Sequence, residues 1–171
     1  SGDLTNLPFL KKVAGKGKPV ILSTGMATLD EVHAAVTVMK EASNYNFVIL
    51  HCTSNYPCAL KDVNLAAMNT IKEACGTLVG YSDHTLGTDV MKLAAKRGAV
   101  VLEKHFTVDK NLPGPDHKAS LGPEELKEVV AAIKNQNFST FLSEEAIMGS
   151  PEKKPTLAEE EIMRLVRKSI V

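Results

Sequence analysis

Two histidines, His84 and His105, occupy similar places in the sequence, each a few residues after an apolar segment. Imidazole is a common metal ligand, so two histidines at neighbouring strand ends could share one divalent cation. Asp83 and Glu103 lie beside them and could orient a histidine or take a proton. The alternative is that the histidines only pack against the sheet, and the residue types leave both interpretations open.

Hydroxyl side chains follow the apolar segments in the same way. They can donate hydrogen bonds, as a phosphate or carboxylate ligand requires. These residues are Ser23, Thr24, Thr53, Ser54 and Ser82. Each could instead cap a helix or form a turn. Asp116 follows two prolines, Pro113 and Pro115, in a loop that could hold it over a site, or it could be a turn residue.

Four apolar segments rich in β-branched residues predict the strands that position these groups. They cover residues 19–22, 47–50, 77–80 and 99–102. None of them alternates with polar residues, which is typical of parallel strands buried on both faces. Because the polar clusters follow the strands directly, we expect them to gather at the carboxyl edge of one sheet.

Helical patterns separate the predicted strands. Five are predicted, over residues 29–39, 63–74 and 88–96, from Pro123 onward, and after Thr156. Thr28 and Glu31 form the pattern of a capping box, as do Thr156 and Glu159. We expect residues 149–155 to form a surface loop and residues 159–161 to be a solvated helix face.

The order of elements predicts an α/β protein in which strands and helices alternate around a parallel sheet. A (β/α)₈ TIM barrel and a doubly wound sheet both fit this pattern. About four parallel strands with flanking helices would make only a partial (β/α)₈ barrel, because the closed fold needs eight.

Composition excludes several functional classes. The chain has 171 residues and a formal net charge of zero, which argues against nucleic-acid binding. Its apolar runs are too short to cross a membrane, and no signal peptide is evident. Three cysteines without a metal-finger spacing predict reduced thiols and a cytoplasmic location, with Cys52 as a small buried apolar residue.

Five motifs in order resemble the sialic acid (N-acetylneuraminate) synthase family. They are KPVILSTGM at 18–26, HCTSNYP at 51–57, GYSDHT at 80–85, EKHFT at 103–107 and PGPD at 113–116. The resemblance covers residues 1–171 and implies the C-terminal half of a TIM-barrel synthase domain. The family's N-terminal half-barrel and its small antifreeze-like domain would then lie outside this sequence.

The resemblance also implies a set of site residues. The family's metal ligands match His84 and His105, for Mn²⁺ or Mg²⁺, and an acid beside them matches Glu103. Phosphoenolpyruvate would be held by residues matching Ser1, Ser23, Ser82 and the segment Ser54, Asn55 and Tyr56. The sugar would contact Asp116.

By this resemblance, the enzyme condenses phosphoenolpyruvate with N-acetylmannosamine and releases phosphate. A diacetamido hexose that leads to legionaminic or pseudaminic acid is the alternative sugar. Family members are homodimers, so a homodimer is expected here. A half-barrel alone exposes strand edges, and we expect it to associate and to be weakly active or to bind ligands without turnover.

Overall fold

The computed structural model describes residues 1–167. It contains a four-stranded parallel sheet in the order β1-β2-β3-β4, with helices packed against it. The strands are β1 (Val20–Ser23), β2 (Phe47–His51), β3 (Leu78–Asp83) and β4 (Leu102–Lys104). Four parallel strands with flanking helices form a half-barrel, so the predicted fold class is confirmed.

Seven helices accompany the sheet in residues 1–167. They are α1 (Leu7–Ala14), α2 (Leu29–Glu41), α3 (Ala67–Cys75), α4 (Asp89–Lys96), α5 (Pro123–Lys134), α6 (Glu144–Met148) and α7 (Leu157–Val166). The five predicted helices are present, and both predicted capping boxes form, at Thr28 and Thr156. The short helices α1 and α6 were not predicted from the sequence.

The core lies between the sheet and its helices. Leu22, Ile49 and Val79 form one row across three strands and pack with buried residues of α2 and α3. The preceding row, Ile21, Val48 and Leu78, points to the opposite face because side chains alternate along a strand. Ile21 and Leu78 are each 57% exposed, so the face away from the helices is largely open at its amino end.

Two predicted boundaries were wrong. The second predicted helix, over residues 63–74, begins too early, because Asn64 has a positive φ of 45° and the next two amides bond to α6 carbonyls. As a result α3 begins at Ala67 instead of residue 63. The fourth strand begins at Leu102 instead of residue 99, because Gly98 takes a φ of 88° and the Ala99 amide still bonds back to α4.

The strands also extend into the polar clusters predicted to follow them. Ser23, His51, Asp83 and Lys104 are the last residues of their strands. Site groups therefore begin on the regular sheet, where pairing with neighbouring strands fixes their direction.

The prediction of a solvated face at residues 159–161 was wrong for one residue. Glu159 is 1% exposed, because its carboxylate accepts hydrogen bonds from two distant loops. Lys153, in the predicted surface loop, is also buried, and its carbonyl accepts a bond from the Leu29 amide. The rest of the predicted surface loop has no regular secondary structure, and residues 149–152 and 154 are exposed, as predicted.

Within residues 1–167, no helix has the length and apolar character needed to cross a membrane. The three cysteines are free and buried, as predicted for Cys52.

Candidate functional site

A cavity of about 430 Å³ lies at the carboxyl end of the sheet. Its lining takes residues from all four strand ends and from α7. The lining residues are Ser1, Gly2, Ser23, Met26, Cys52, Ser54, Tyr56, Ser82, His84, Glu103, His105, Ile162 and Val166. Of the site residues that the resemblance implies, all except Asn55 and Asp116 line this cavity. The other candidates, Thr24, Thr53 and Asp83, do not line it.

His84 and His105 lie side by side, with ring centroids 5.4 Å apart. The Nδ1 atom of His84 is 2.7 Å from the carbonyl oxygen of Thr53. A carbonyl only accepts, so this contact fixes the proton on Nδ1 and leaves Nε2 as a lone-pair donor. Burial lowers the pKa of His84, an effect that the Thr53 carbonyl opposes and the neighbouring His105 reinforces.

The ring of Tyr56 lies against both histidines, with centroids 4.2 Å from His84 and 5.4 Å from His105. Asp116 lies outside the cavity lining, and its Oδ2 is 3.9 Å from Nδ1 of His105. Nδ1 of His105 is thus beyond hydrogen-bond distance of Asp116, whereas Nδ1 of His84 is held by the Thr53 carbonyl. The arrangement at His84 is common for metal-ligating histidines, whose second nitrogen is held by a carbonyl or carboxylate.

The two acids beside the histidines do not orient them. Ser82 Oγ donates to Glu103 Oε1 at 2.6 Å, which places a carboxylate on the cavity wall. Asp83 instead pairs with Lys104, whose Nζ is 2.6 Å from Oδ2, and its other oxygen accepts from Thr85. Both partners of this ion pair are almost completely buried, so it lies behind the cavity as a link between β3 and β4.

Gly80 allows β3 and β4 to approach closely. A β-carbon at this position would overlap the carbonyl oxygen of Val101 and lie 2.6 Å from a Leu50 methyl group. The Val101 carbonyl also accepts from the Tyr81 amide. Only glycine fits this close backbone contact, which sets the spacing of the strands that carry Ser82 and Glu103.

The β1 and β2 ends carry uncharged donors. Ser1 Oγ accepts from the Gly25 amide at 3.0 Å and lies 3.5 Å from Cys52 Sγ. Ser23 and Ser54 face the same cavity. Burial raises the pKa of the Cys52 thiol, so this residue is a protonated, apolar part of the wall.

The sequence predictions missed five residues of the lining, and Glu159 behind it. The five are Gly2, Met26, Cys52, Ile162 and Val166. Helix α7 was predicted, but no local pattern indicated that its apolar face meets a strand end more than a hundred residues earlier. The capping box at Thr156 and Glu159 was visible in the sequence, yet it explains only one oxygen of Glu159. The other oxygen binds the Met26 and Ser54 amides.

The side chains around the cavity bear on the predicted divalent cation. Within residues 1–167, no group of three or more histidine, cysteine, aspartate or glutamate side chains is arranged to hold a metal. His84 and His105 nevertheless offer two neighbouring imidazoles, and the Thr53 carbonyl holds Nδ1 of His84, which fits a cation that takes its remaining ligands from substrate or water.

Comparisons with known proteins agree with the fold and the strand-end motifs. A sequence model of the NeuB family matches residues 1–143. The chain is 50% identical to N,N'-diacetyllegionaminic acid synthase of Legionella pneumophila, over 99% of this chain and 47% of that protein. It is 38% identical to human N-acetylneuraminate-9-phosphate synthase, over 100% of this chain and 45% of that protein.

The crystal structure of spore coat polysaccharide biosynthesis protein SpsE from Bacillus subtilis superimposes with a TM-score of 0.86 at 36% identity. The match covers 95% of this chain and 47% of SpsE. The chain thus spans about half the length of the curated relatives it matches. These matches do not establish which half of a barrel it forms, so the C-terminal half-barrel stays a prediction. The family match and the identities over the whole chain together show that this protein belongs to the NeuB family.

Proposed function

We propose that the cavity is part of the active site of a sugar acid synthase that condenses phosphoenolpyruvate with an N-acetylated amino sugar. The observation that carries the proposal is the pairing of His84 with His105 beside Ser82 and Glu103. Two imidazoles, a carboxylate and several hydroxyls converge there on one space of about 430 Å³. The synthase names of its relatives support the same reaction class.

His84 and His105 would hold the divalent cation, Mn²⁺ or Mg²⁺. When bound, the cation supplies Lewis acidity that polarises the aldehyde of the open-chain sugar. The Thr53 carbonyl keeps the His84 proton on Nδ1, so Nε2 is available as a ligand without a prior proton transfer. Tyr56 packs against both rings and limits their rotation.

The hydroxyls of Ser23, Ser54 and Ser82 would hold phosphoenolpyruvate by donating to its carboxylate and phosphate oxygens. Ser82 first has to turn its hydrogen away from Glu103, to which it donates without substrate. No lysine or arginine is among the described residues that line the cavity. Full neutralisation of the substrate's charge would therefore depend on the cation and on parts of the complete protein outside this chain.

In the proposed reaction, carbon 3 of phosphoenolpyruvate attacks the aldehyde carbon, and a C–C bond forms as the C=O π bond breaks. Water adds at carbon 2, the C2–O bond to phosphate breaks, and phosphate leaves to give the 2-keto acid. The former aldehyde oxygen takes one of the two protons that the added water gives up, and the other leaves with phosphate. Glu103 lies on the cavity wall and would take a proton of the attacking water. Asp116, next to His105 at the rim, would contact the sugar.

N-acetylmannosamine and a diacetamido hexose are the two candidate sugars. The higher identity to N,N'-diacetyllegionaminic acid synthase, 50% against 38% for the N-acetylneuraminate-9-phosphate synthase, favours the diacetamido hexose. The homodimer predicted from the resemblance belongs to the same proposal.

Phosphate release tests this proposal in the full polypeptide that carries the sequence. The assay contains Mn²⁺, phosphoenolpyruvate and each candidate sugar in turn. We expect release that requires both sugar and metal and that is lost in His84→Ala. His33→Ala is the matched control, because His33 is exposed on α2 and should leave the rate unchanged. Release that continues without metal, or in His84→Ala, would contradict the proposal.

A further inference from the structure

Helix α7 forms one wall of the cavity, although it follows the last strand by more than fifty residues. Ile162 and Val166 of this helix line the cavity. Glu159 lies three and seven positions before them, so all three residues share one face of the helix. Glu159 is the buried member at the start of that face.

The Glu159 carboxylate joins α7 to two strand-end loops. Its Oε1 accepts from the Met26 amide at 2.8 Å and from the Ser54 amide at 2.7 Å. Its Oε2 accepts from the amide and the hydroxyl of Thr156. Met26 and Ser54 both line the cavity, one after β1 and the other after β2.

We propose that Glu159 is a positioning residue that holds the loops after β1 and β2 and the α7 wall in their ligand-binding arrangement. One carboxylate oxygen accepts hydrogen bonds from both loops. Beyond the strand ends, the backbones of these two loops are not hydrogen-bonded to one another. Without it, two amide donors facing the protein interior would lack acceptors, and the loops would have to move to reach water. The proposal rests on the proposed function only in taking phosphoenolpyruvate as the ligand.

The strained backbone at Met26 supports this assignment. Met26 has a φ of 62°, which is unusual for a residue with a side chain and needs support from its surroundings. That support is the Glu159 bond to its amide and the Arg167 bond to its carbonyl oxygen. Arg167 also pairs with Glu31 of α2, so the end of α7 holds the same loop from a second direction.

A role limited to helix capping would use only the Thr156 contacts and would leave the loops unaffected. The two roles differ in where a Glu159→Gln substitution acts. Glutamine keeps the size of the side chain but removes its charge and one acceptor position. Glu160→Gln is the matched control, because it makes the same change one residue later at an exposed position of the same turn.

Amide hydrogen exchange by mass spectrometry is the primary test, since it needs no catalysis. In Glu159→Gln we expect exchange in peptides that cover residues 24–27 and 52–55 to rise about tenfold or more, with β3 peptides unchanged. Glu160→Gln should match the wild type in both segments. Unchanged exchange in the two loops would overturn the proposal, as would an equal rise in all peptides, which would indicate general destabilisation.

Kinetics of phosphate release in the full polypeptide give a second readout. Glu159→Gln should raise the KM for phosphoenolpyruvate about tenfold while kcat changes less, because the residue positions the loops and does not touch the reacting atoms. Glu159→Asp should retain the charge and recover part of the exchange protection. A fall in kcat with an unchanged KM would overturn the positioning role. A loop-specific exchange effect in a protein without phosphate release would instead support Glu159 and overturn the proposed reaction.

Discussion

The two halves of the cavity are held together in different ways. On the β3–β4 side, adjacent strands are joined by charged side chains: the buried Asp83–Lys104 pair and the Ser82–Glu103 hydrogen bond. On the β1–β2 side, the wall consists of uncharged groups, and the carboxylate that organises it comes from α7. The side of the proposed metal site is therefore built from neighbours in the sheet, whereas the hydroxyl side depends on a distant segment.

This difference predicts that the β3–β4 side is the more sensitive to loss of one charge. In Lys104→Met, the Asp83 carboxylate would stay buried without its cation, and we expect stability to fall by about 3–5 kcal/mol. Urea denaturation of both proteins measures this change. Lys110→Met is the control, because Lys110 pairs with Glu125 at an exposed site and should cost less than about 1 kcal/mol. Equal effects of the two substitutions would contradict the comparison.

On the β1–β2 side, we expect acid to lower the stability of the protein. Burial, reinforced by the charge of Lys153, lowers the pKa of His51 from 6.5 to about 4. Between pH 6.5 and about 4, His51 therefore takes up a proton in the unfolded chain but not in the folded one. The stability that His51 contributes above pH 6.5 is lost as the pH falls towards 4. The loss amounts to about 3 kcal/mol, because each pKa unit corresponds to about 1.4 kcal/mol.

Denaturation at pH 7 and at pH 4.5 in wild type and His51→Gln measures this contribution. Glutamine can still donate to the Val63 carbonyl, as the His51 ring does through Nε2. The variant should lose less stability on acidification than the wild type, whereas the exposed His33→Gln should not differ from it. An identical pH dependence in His51→Gln would show that His51 is not the group responsible.

Substitutions at two glycines compare the β3–β4 and β1–β2 sides through smaller expected losses of stability. Gly80→Ala would push a β-carbon against the Val101 carbonyl, which cannot rotate away, and should cost about 1–3 kcal/mol. Gly25→Ala would meet the hydroxyls of Ser54 and Ser1, which can rotate, and its β-carbon would lie 3.2 Å from the Ser1 β-carbon. We expect the smaller loss of stability for Gly25→Ala but the larger loss of phosphoenolpyruvate affinity, measured by calorimetry. The reverse order in stability would contradict the view that the β3–β4 spacing is the tighter.

The difference between contacts of neighbouring strands and contacts with a distant segment also explains what the sequence could predict. Groups next to apolar strands, such as His84 and His105, could be placed at one edge because parallel strands end together. Strand β4 was misplaced since its apolar run begins while the Ala99 amide still bonds to α4. Helix α6, with five residues, is too short for a clear helical period, even though Ser143 caps it. Helix α1 was missed although Asn6 caps it and the predicted α4 has the same length.

The burial of Glu159 could not be predicted from the sequence. Its place in a run of three glutamates is typical of an exposed first turn, and the other two, Glu160 and Glu161, are indeed exposed. Burial of Glu159 arises from amides at Met26 and Ser54, more than a hundred residues earlier in the chain. Only the folded arrangement of α7 on the strand ends brings these donors to the carboxylate.

Binding of Mn²⁺ to the chain tests the central claim most directly, because it asks whether the paired histidines are ligands. Free Mn²⁺ would be measured by electron paramagnetic resonance in wild type, His84→Ala, His105→Ala and the exposed control His33→Ala. We predict that the wild type and the control bind one ion and that each cavity variant binds it at least about tenfold more weakly. Equal affinity in all four proteins would contradict a metal site at the carboxyl ends of β3 and β4.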